Sequence, residues 1–135
     1  MLEDSTGEFK TKYGENAGKI WAALNEKAPL RKQDLLEITQ LNDSDFHIGV
    51  GWLAREDKIL EDSEGCYKLD NTNLTSIIGA NAGRIWKIMD IWGEVEFSTI
   101  KRLTDVDDEE VYSALGWLAK EDKICVDEKQ RYTLK

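Results

Sequence analysis

Few residues of this 135-residue chain are equipped for covalent chemistry. Its one histidine, His47, could serve as acid, base or ligand, because an unperturbed imidazole titrates near neutrality. Two cysteines, Cys66 and Cys125, could pair or hold a metal, yet neither belongs to a Cys-x-x-Cys or Cys/His spacing. Carboxylates are abundant but fall in runs such as Asp107-Asp108-Glu109-Glu110, which read as solvated surface and not as an acid/base pair held in a pocket. Gly79-Ala80-Asn81-Ala82-Gly83-Arg84 has the glycines of a phosphate loop without its Lys-Ser/Thr ending or a preceding buried strand. A reaction centre needs a nucleophile or metal, a base and an orienting group that converge. The expectation is therefore a non-enzymatic protein with no catalytic residues, no metal, no cofactor and no small-molecule site. Asn81 is expected to cap a helix, and Gly83 to let another backbone, that of a later helix at Gly116, come close.

Composition narrows the classes further. Hydrophobic residues at 41% and five tryptophans fit a folded globular chain. No apolar run reaches the roughly 20 residues that cross a bilayer, and Met1 to Lys12 is polar and acidic, unlike a secretory leader. The chain reads as cytoplasmic, with no membrane association and with residues 1–12 as a flexible segment. The net charge of −9 repels phosphate backbones on average, so a nucleic-acid binder of this composition would need a local basic stripe.

The elements that must position these residues are written twice. Asn16-Ala17-Gly18-Lys19-Ile20-Trp21 recurs as Asn81-Ala82-Gly83-Arg84-Ile85-Trp86. Gly51-Trp52-Leu53-Ala54-Arg55-Glu56-Asp57-Lys58-Ile59 recurs as Gly116-Trp117-Leu118-Ala119-Lys120-Glu121-Asp122-Lys123-Ile124, at the same spacing of 65 residues. That register also aligns Thr39 with Thr104, Asp43 with Asp108, Tyr67 with Tyr132 and Leu69 with Leu134 without a gap. Two copies of one unit follow, residues 13–70 and 78–135, joined by a polar linker over residues 71–77.

Each copy opens with a helix, from Ala17 to Lys27 in the first, with Ile20, Trp21 and Leu24 on one side and Asn16 as its N-cap. A very short strand at Leu30, or Glu94 to Phe97, leads to a brief second helix carrying Leu35 and Ile38, or Ile100 and Leu103. After a tight turn a third helix carries Phe46, Val50 and Leu53, or Val111, Leu115 and Leu118, with Asp107 and Glu110 spaced as a capping box. A hairpin closes the unit, turning at Ser63-Glu64-Gly65 in copy one. The fold class is predominantly α with small β-hairpin wings, as two tandem winged helix-turn-helix domains. The paired motifs G-x-N-A-G-[KR]-I-W and G-W-L-A-[RK]-E-D-K-I resemble the small winged helix-turn-helix domain family of largely uncharacterised bacterial and archaeal proteins. The resemblance covers both copies, carries no catalytic residues, and implies binding of either DNA or protein.

Surface chemistry separates those two. In the DNA mode the third helix enters the major groove, flanked by cations. Its outward positions are Ser44, Ile48, Gly51, Trp52 and Arg55, or Glu109, Ser113, Gly116, Trp117 and Lys120, with one cation per copy and an acidic first turn. DNA binding through the wings or helix three, with Lys129 and Arg131 of the second wing as candidate contacts, is thus the alternative expectation. The leading one is a protein-interaction or regulatory adaptor that engages a protein partner or self-associates. Ile48, Trp52, Arg55, Trp117 and Lys120 are the candidate interaction surface, because the tryptophans fall off the core stripe of their helices. Copy two also has Ile88, Ile91, Trp92 and Phe97 where copy one has Ala23, Glu26, Lys27 and Lys32. Its first helix is apolar nearly all round, so these four residues are the candidate interdomain or oligomer surface through which the copies dock as a pseudo-dimer.

Overall fold

The computed structural model describes residues 5–135. Copy one runs α1 (Ser5–Lys27), β1 (Leu30–Arg31), α2 (Lys32–Thr39), α3 (Asp43–Arg55), β2 (Ile59–Glu61) and β3 (Cys66–Leu69). One π-helical turn, Thr75–Gly79, leads into α4 (Ala80–Trp92), β4 (Val95–Glu96), α5 (Phe97–Thr104), α6 (Asp108–Lys120), β5 (Ile124–Val126) and β6 (Arg131–Leu134). Each half is a winged helix-turn-helix, mostly helical with one small antiparallel sheet, ordered β1-β3-β2 or β4-β6-β5. The spacing of 65 survives into strand register: Leu30 pairs Tyr67 and Ile59 pairs Leu69, as Val95 pairs Tyr132 and Ile124 pairs Leu134.

Local chemistry accounts for the turns. The Asn42 side chain accepts the Asp45 N–H at 2.8 Å, capping α3. Gln40 and Asp105 close α2 and α5 with φ of 61° and 54°, the left-handed residue that stops one helix so that the next can start within a few positions. In the first wing the Asp62 carboxylate accepts the N–H groups of Glu64 and Cys66. In the second, Asp127 does the same for Lys129 and Arg131.

Two apolar cores form, and each borrows from the other copy. Ile20, Leu24, Leu35, Phe46, Leu53 and Ile59 fill the first; Ile85, Met89, Ile100, Leu115, Leu118 and Ile124 fill the second. Tyr13 and Ile48 of copy one lie in the second core, whereas Ile78, the counterpart of Tyr13, lies in the first. The copies are therefore interlocked halves of one body.

That exchange corrects several expectations. Helix α1 does not start at Asn16. Phe9, Tyr13, Ala17, Ile20 and Leu24 continue one helical stripe, and its first turns lie on copy two. Residues 8–12 are thus helical where a flexible segment was expected; residues 1–4 lie outside the described residues. Asn16 and Asn81 are buried inside helices and cap nothing. The Asp107 side chain makes no capping bond, and Glu110 instead accepts from the Asn81 amide at 3.1 Å. Residues 71–77 are held to the first wing: the Asn71 amide donates to Asp57, and the Asn73 amide to the Glu61 carbonyl. Gly83 has open space around it, with no atom within 4 Å of where a Cβ would sit, so close packing does not explain it.

Candidate functional site

Helices α3 and α6 cross back to back, and their glycines make the crossing possible. A Cβ on Gly51 would lie 1.8 Å from the Ser113 carbonyl oxygen, and one on Gly116 would lie 2.0 Å from that of Ile48. The two approaches are related by the 65-residue register, which places a pseudo-twofold axis between the helices. Trp52 and Trp117 flank the crossing, each packed against both cores, with their rings over Gly14 and Gly79. The Arg55 guanidinium lies 5.7 Å from the Trp117 ring centroid, and its Nε donates to Glu121 at 3.0 Å. Reciprocally, the Lys120 ammonium lies 5.7 Å from the Trp52 ring centroid and 3.9 Å from Glu56. Cation, ring and carboxylate repeat on both sides of the axis.

The five residues of the candidate interaction surface, Ile48, Trp52, Arg55, Trp117 and Lys120, are thus brought together, but against the sister copy. Ile48 is 4% exposed. The spacing within one copy did not contain the second helix, which covers these positions. Most residues of α3 and of α6 are buried, in this crossing or in their own core.

The apolar residues of copy two are disposed the other way. The copies do not dock through them. Ile91 is 77% exposed and Trp92 56%, at the far end of α4. Ile88 is half-buried against the second core, and Phe97 stacks on Tyr112 with ring centroids 4.5 Å apart. Trp92 borders a shallow cavity with Glu94, Glu96, Arg102 and Arg131. In the second wing Arg131 is engaged by Asp127 at 2.8 Å and Glu94 at 3.3 Å, which offsets the charge a phosphate would meet; Lys129 is exposed at the turn.

A polar cluster at the mouth of the inter-copy junction was not foreseen. His47 is 7% exposed, and its Nε2 lies 2.8 Å from Glu109 Oε2 and 4.0 Å from Asp43 Oδ2. By its geometry Nε2 makes no hydrogen bond there. Lys32 bridges both carboxylates, donating to Glu109 at 2.7 Å. Burial and then the Lys32 charge push the imidazole pKa below its ordinary value, against the pull of Glu109 and Asp43. The Lys32 bond holds the Glu109 carboxyl below the usual range. Beside the cluster, His47 and Glu109 line a cavity of about 300 Å³ with Glu61, Tyr67 and Glu110, where burial and then Asp62 raise the Glu61 pKa.

The symmetry-related cluster is chemically different. Lys32, His47, Glu109 and Glu61 correspond to Phe97, Tyr112, Ser44 and Val126, which line an aromatic cavity of about 360 Å³. Comparing the copies position by position carried that signal, since four departures from the repeat fall in one place. Their convergence needs the crossing of α3 with α6, which neither copy encodes alone.

Among the described residues no helix is long and apolar enough to cross a membrane. No curated protein and no solved structure matches the chain. A family model described as "Winged helix-turn-helix domain (DUF2582)" matches twice, over residues 9–68 and 72–134.

Proposed function

The chain belongs to the winged helix-turn-helix domain family (DUF2582) in both of its copies, and from that premise we propose a non-enzymatic tandem module that engages another protein. Winged helix-turn-helix domains serve DNA binding or regulation and seldom catalysis, so the family leaves the partner open. The observation that carries the protein reading is the burial of most residues of α3 and of α6, in their crossing or in their own core. Of the exposed large apolar side chains, Ile91 at 77% is the most open, and it stands beside Trp92, which borders Glu94, Glu96, Arg102 and Arg131. An aromatic anchor inside a charged rim is the composition of a protein contact, and tryptophan is enriched among the residues that carry binding energy within interfaces. The net charge of −9 acts in the same direction by repelling nucleic acid.

Titrating the protein against a labelled mixed-sequence duplex at low salt tests this reading. Binding weaker than about 10 μM is expected; micromolar binding with a steep negative salt slope overturns it in favour of wing-mediated DNA contact. Ile91→Glu and Trp92→Glu should leave the melting of the monomer within about 0.5 kcal/mol of wild type, as substitutions on an open surface do. The same changes should abolish self-association or partner capture; unchanged association by both would remove this knob from the proposal.

A further inference from the structure

We propose that Asp43, His47 and Glu109 form a divalent transition-metal site that ties α3 to α6, with the Lys32 ammonium holding the two carboxylates until an ion displaces it. Their ligand atoms, one nitrogen and two carboxylate oxygens, lie within 4.8 Å of one another, so a small rotamer adjustment brings all three to one ion. The carboxylates alone would carry little, since exposed acidic groups gather without metals. His47 supplies the independent observation. It is 93% buried, its Nε2 is directed at Glu109, and that nitrogen has no hydrogen-bond partner. With its proton on Nδ1 the imidazole presents the Nε2 lone pair to a carboxylate oxygen 2.8 Å away, a pairing that a cation bound to both atoms satisfies. Lys32 neutralises the oxygens but leaves the nitrogen unmet. An ion with affinity for both donor types satisfies all three.

The donor set selects the ion. Imidazole with two carboxylates suits Zn²⁺, Co²⁺ or Ni²⁺, whereas Ca²⁺ and Mg²⁺ prefer oxygen alone. Three protein ligands leave a tetrahedral ion one position for water. The site is also one-sided: the related positions Asp108, Tyr112 and Ser44 offer no imidazole and one carboxylate, so a single ion per chain is expected. This departs from the expectation, drawn from spacing within each copy, that no metal is held; the ligands come from two helices 62 residues apart in sequence between His47 and Glu109.

The test is calorimetric titration of the tag-free full chain with ZnCl₂, repeated with CaCl₂, together with NMR of the imidazole, which is unique because the chain has one histidine. One Zn²⁺ should bind, shifting the His47 ring signals, with Ca²⁺ much weaker. Lys32→Met should tighten Zn²⁺ by roughly tenfold or more, since it removes a competing like charge a few ångströms away. Glu109→Gln and His47→Gln should each weaken binding by at least about tenfold. Glu109 is half-exposed in its side chain, so its variant tests the site even if His47→Gln does not fold. No Zn²⁺ binding in wild type and Lys32→Met, binding unaffected by Glu109→Gln, or binding that leaves the imidazole signals unmoved would each overturn the proposal.

Discussion

Replacing Gly51 by alanine inserts one methyl group at the crossing of α3 and α6, where the new carbon would lie 1.8 Å from the Ser113 carbonyl oxygen. Carbon and oxygen tolerate about 3.3 Å, so the helices must part locally by roughly 1.5 Å. The obstacle is backbone, which cannot swing aside as a side chain can. Overpacking of this kind costs about 3 kcal/mol, against a gain of about 1 kcal/mol from exchanging a helical glycine for alanine. The net loss is about 2 kcal/mol, or roughly 6–10 °C in Tm for a chain of this length. Gly116→Ala, blocked by the Ile48 carbonyl at 2.0 Å, should cost as much. The double variant should fall short of the sum, because the first methyl already separates the helices for the second. Gly18→Ala and Gly83→Ala are the internal controls. Both lie in helices with nothing within 4 Å of the new carbon, so both should raise Tm by roughly 2–4 °C. Calorimetric or circular-dichroism melts decide the matter. If Gly51→Ala and Gly116→Ala melt at or above wild type, as the controls should, the close crossing of the two helices is refuted.

The cation pairs around the crossing should matter less than the glycines. Arg55 is about half-exposed in its side chain, so a double-mutant cycle of Arg55→Ala with Glu121→Ala should return under about 1 kcal/mol of coupling; more than twice that would mean the pair is effectively dry. The wing turns should be acid-sensitive. Bonds from the N–H groups of Cys66 and Arg131 hold Asp62 and Asp127 below the ordinary carboxylate pKa. Since the folded value lies below the unfolded one, their contribution is complete above the ordinary carboxylate range and is lost as pH falls through the lowered values. Amide exchange of the two wings across an acid titration should show opening at higher pH in wild type than the rest of the fold. A paired Asp62→Asn and Asp127→Asn variant should flatten that pH dependence, and an unchanged profile would count against the assignment.

The winged helix-turn-helix fold was legible because its signals are local and were written twice. Helical stripes such as Phe46, Val50 and Leu53, the alternation in Glu94-Val95-Glu96-Phe97 and the turn residues of the first wing each act within a few positions, and the 65-residue register checks one copy against the other. Helical spacing marked Trp52 and Trp117 as off the core stripe of their helices; in the structure each packs against both cores. Helix α1 was misread at its start because Asn16 mimics a cap, while the stripe continuing back to Phe9 makes sense only with copy two beneath it.

What the sequence by itself determined, then, is the content of each unit: which residues face its core, where its helices stop, and that the chain has no clustered basic helix. Which apolar surface joins the units was decided only in three dimensions. Ile88, Ile91, Trp92 and Phe97 offered an apolar surface, yet Gly51 and Gly116 permit backbone contact that larger residues forbid, and the copies meet there. Burial energy scales with area, but docking is limited by how closely two surfaces can approach, a property of shape that hydropathy along a chain does not record. The same crossing gathers Lys32, Asp43, His47 and Glu109 from three helices, a convergence set by tertiary packing.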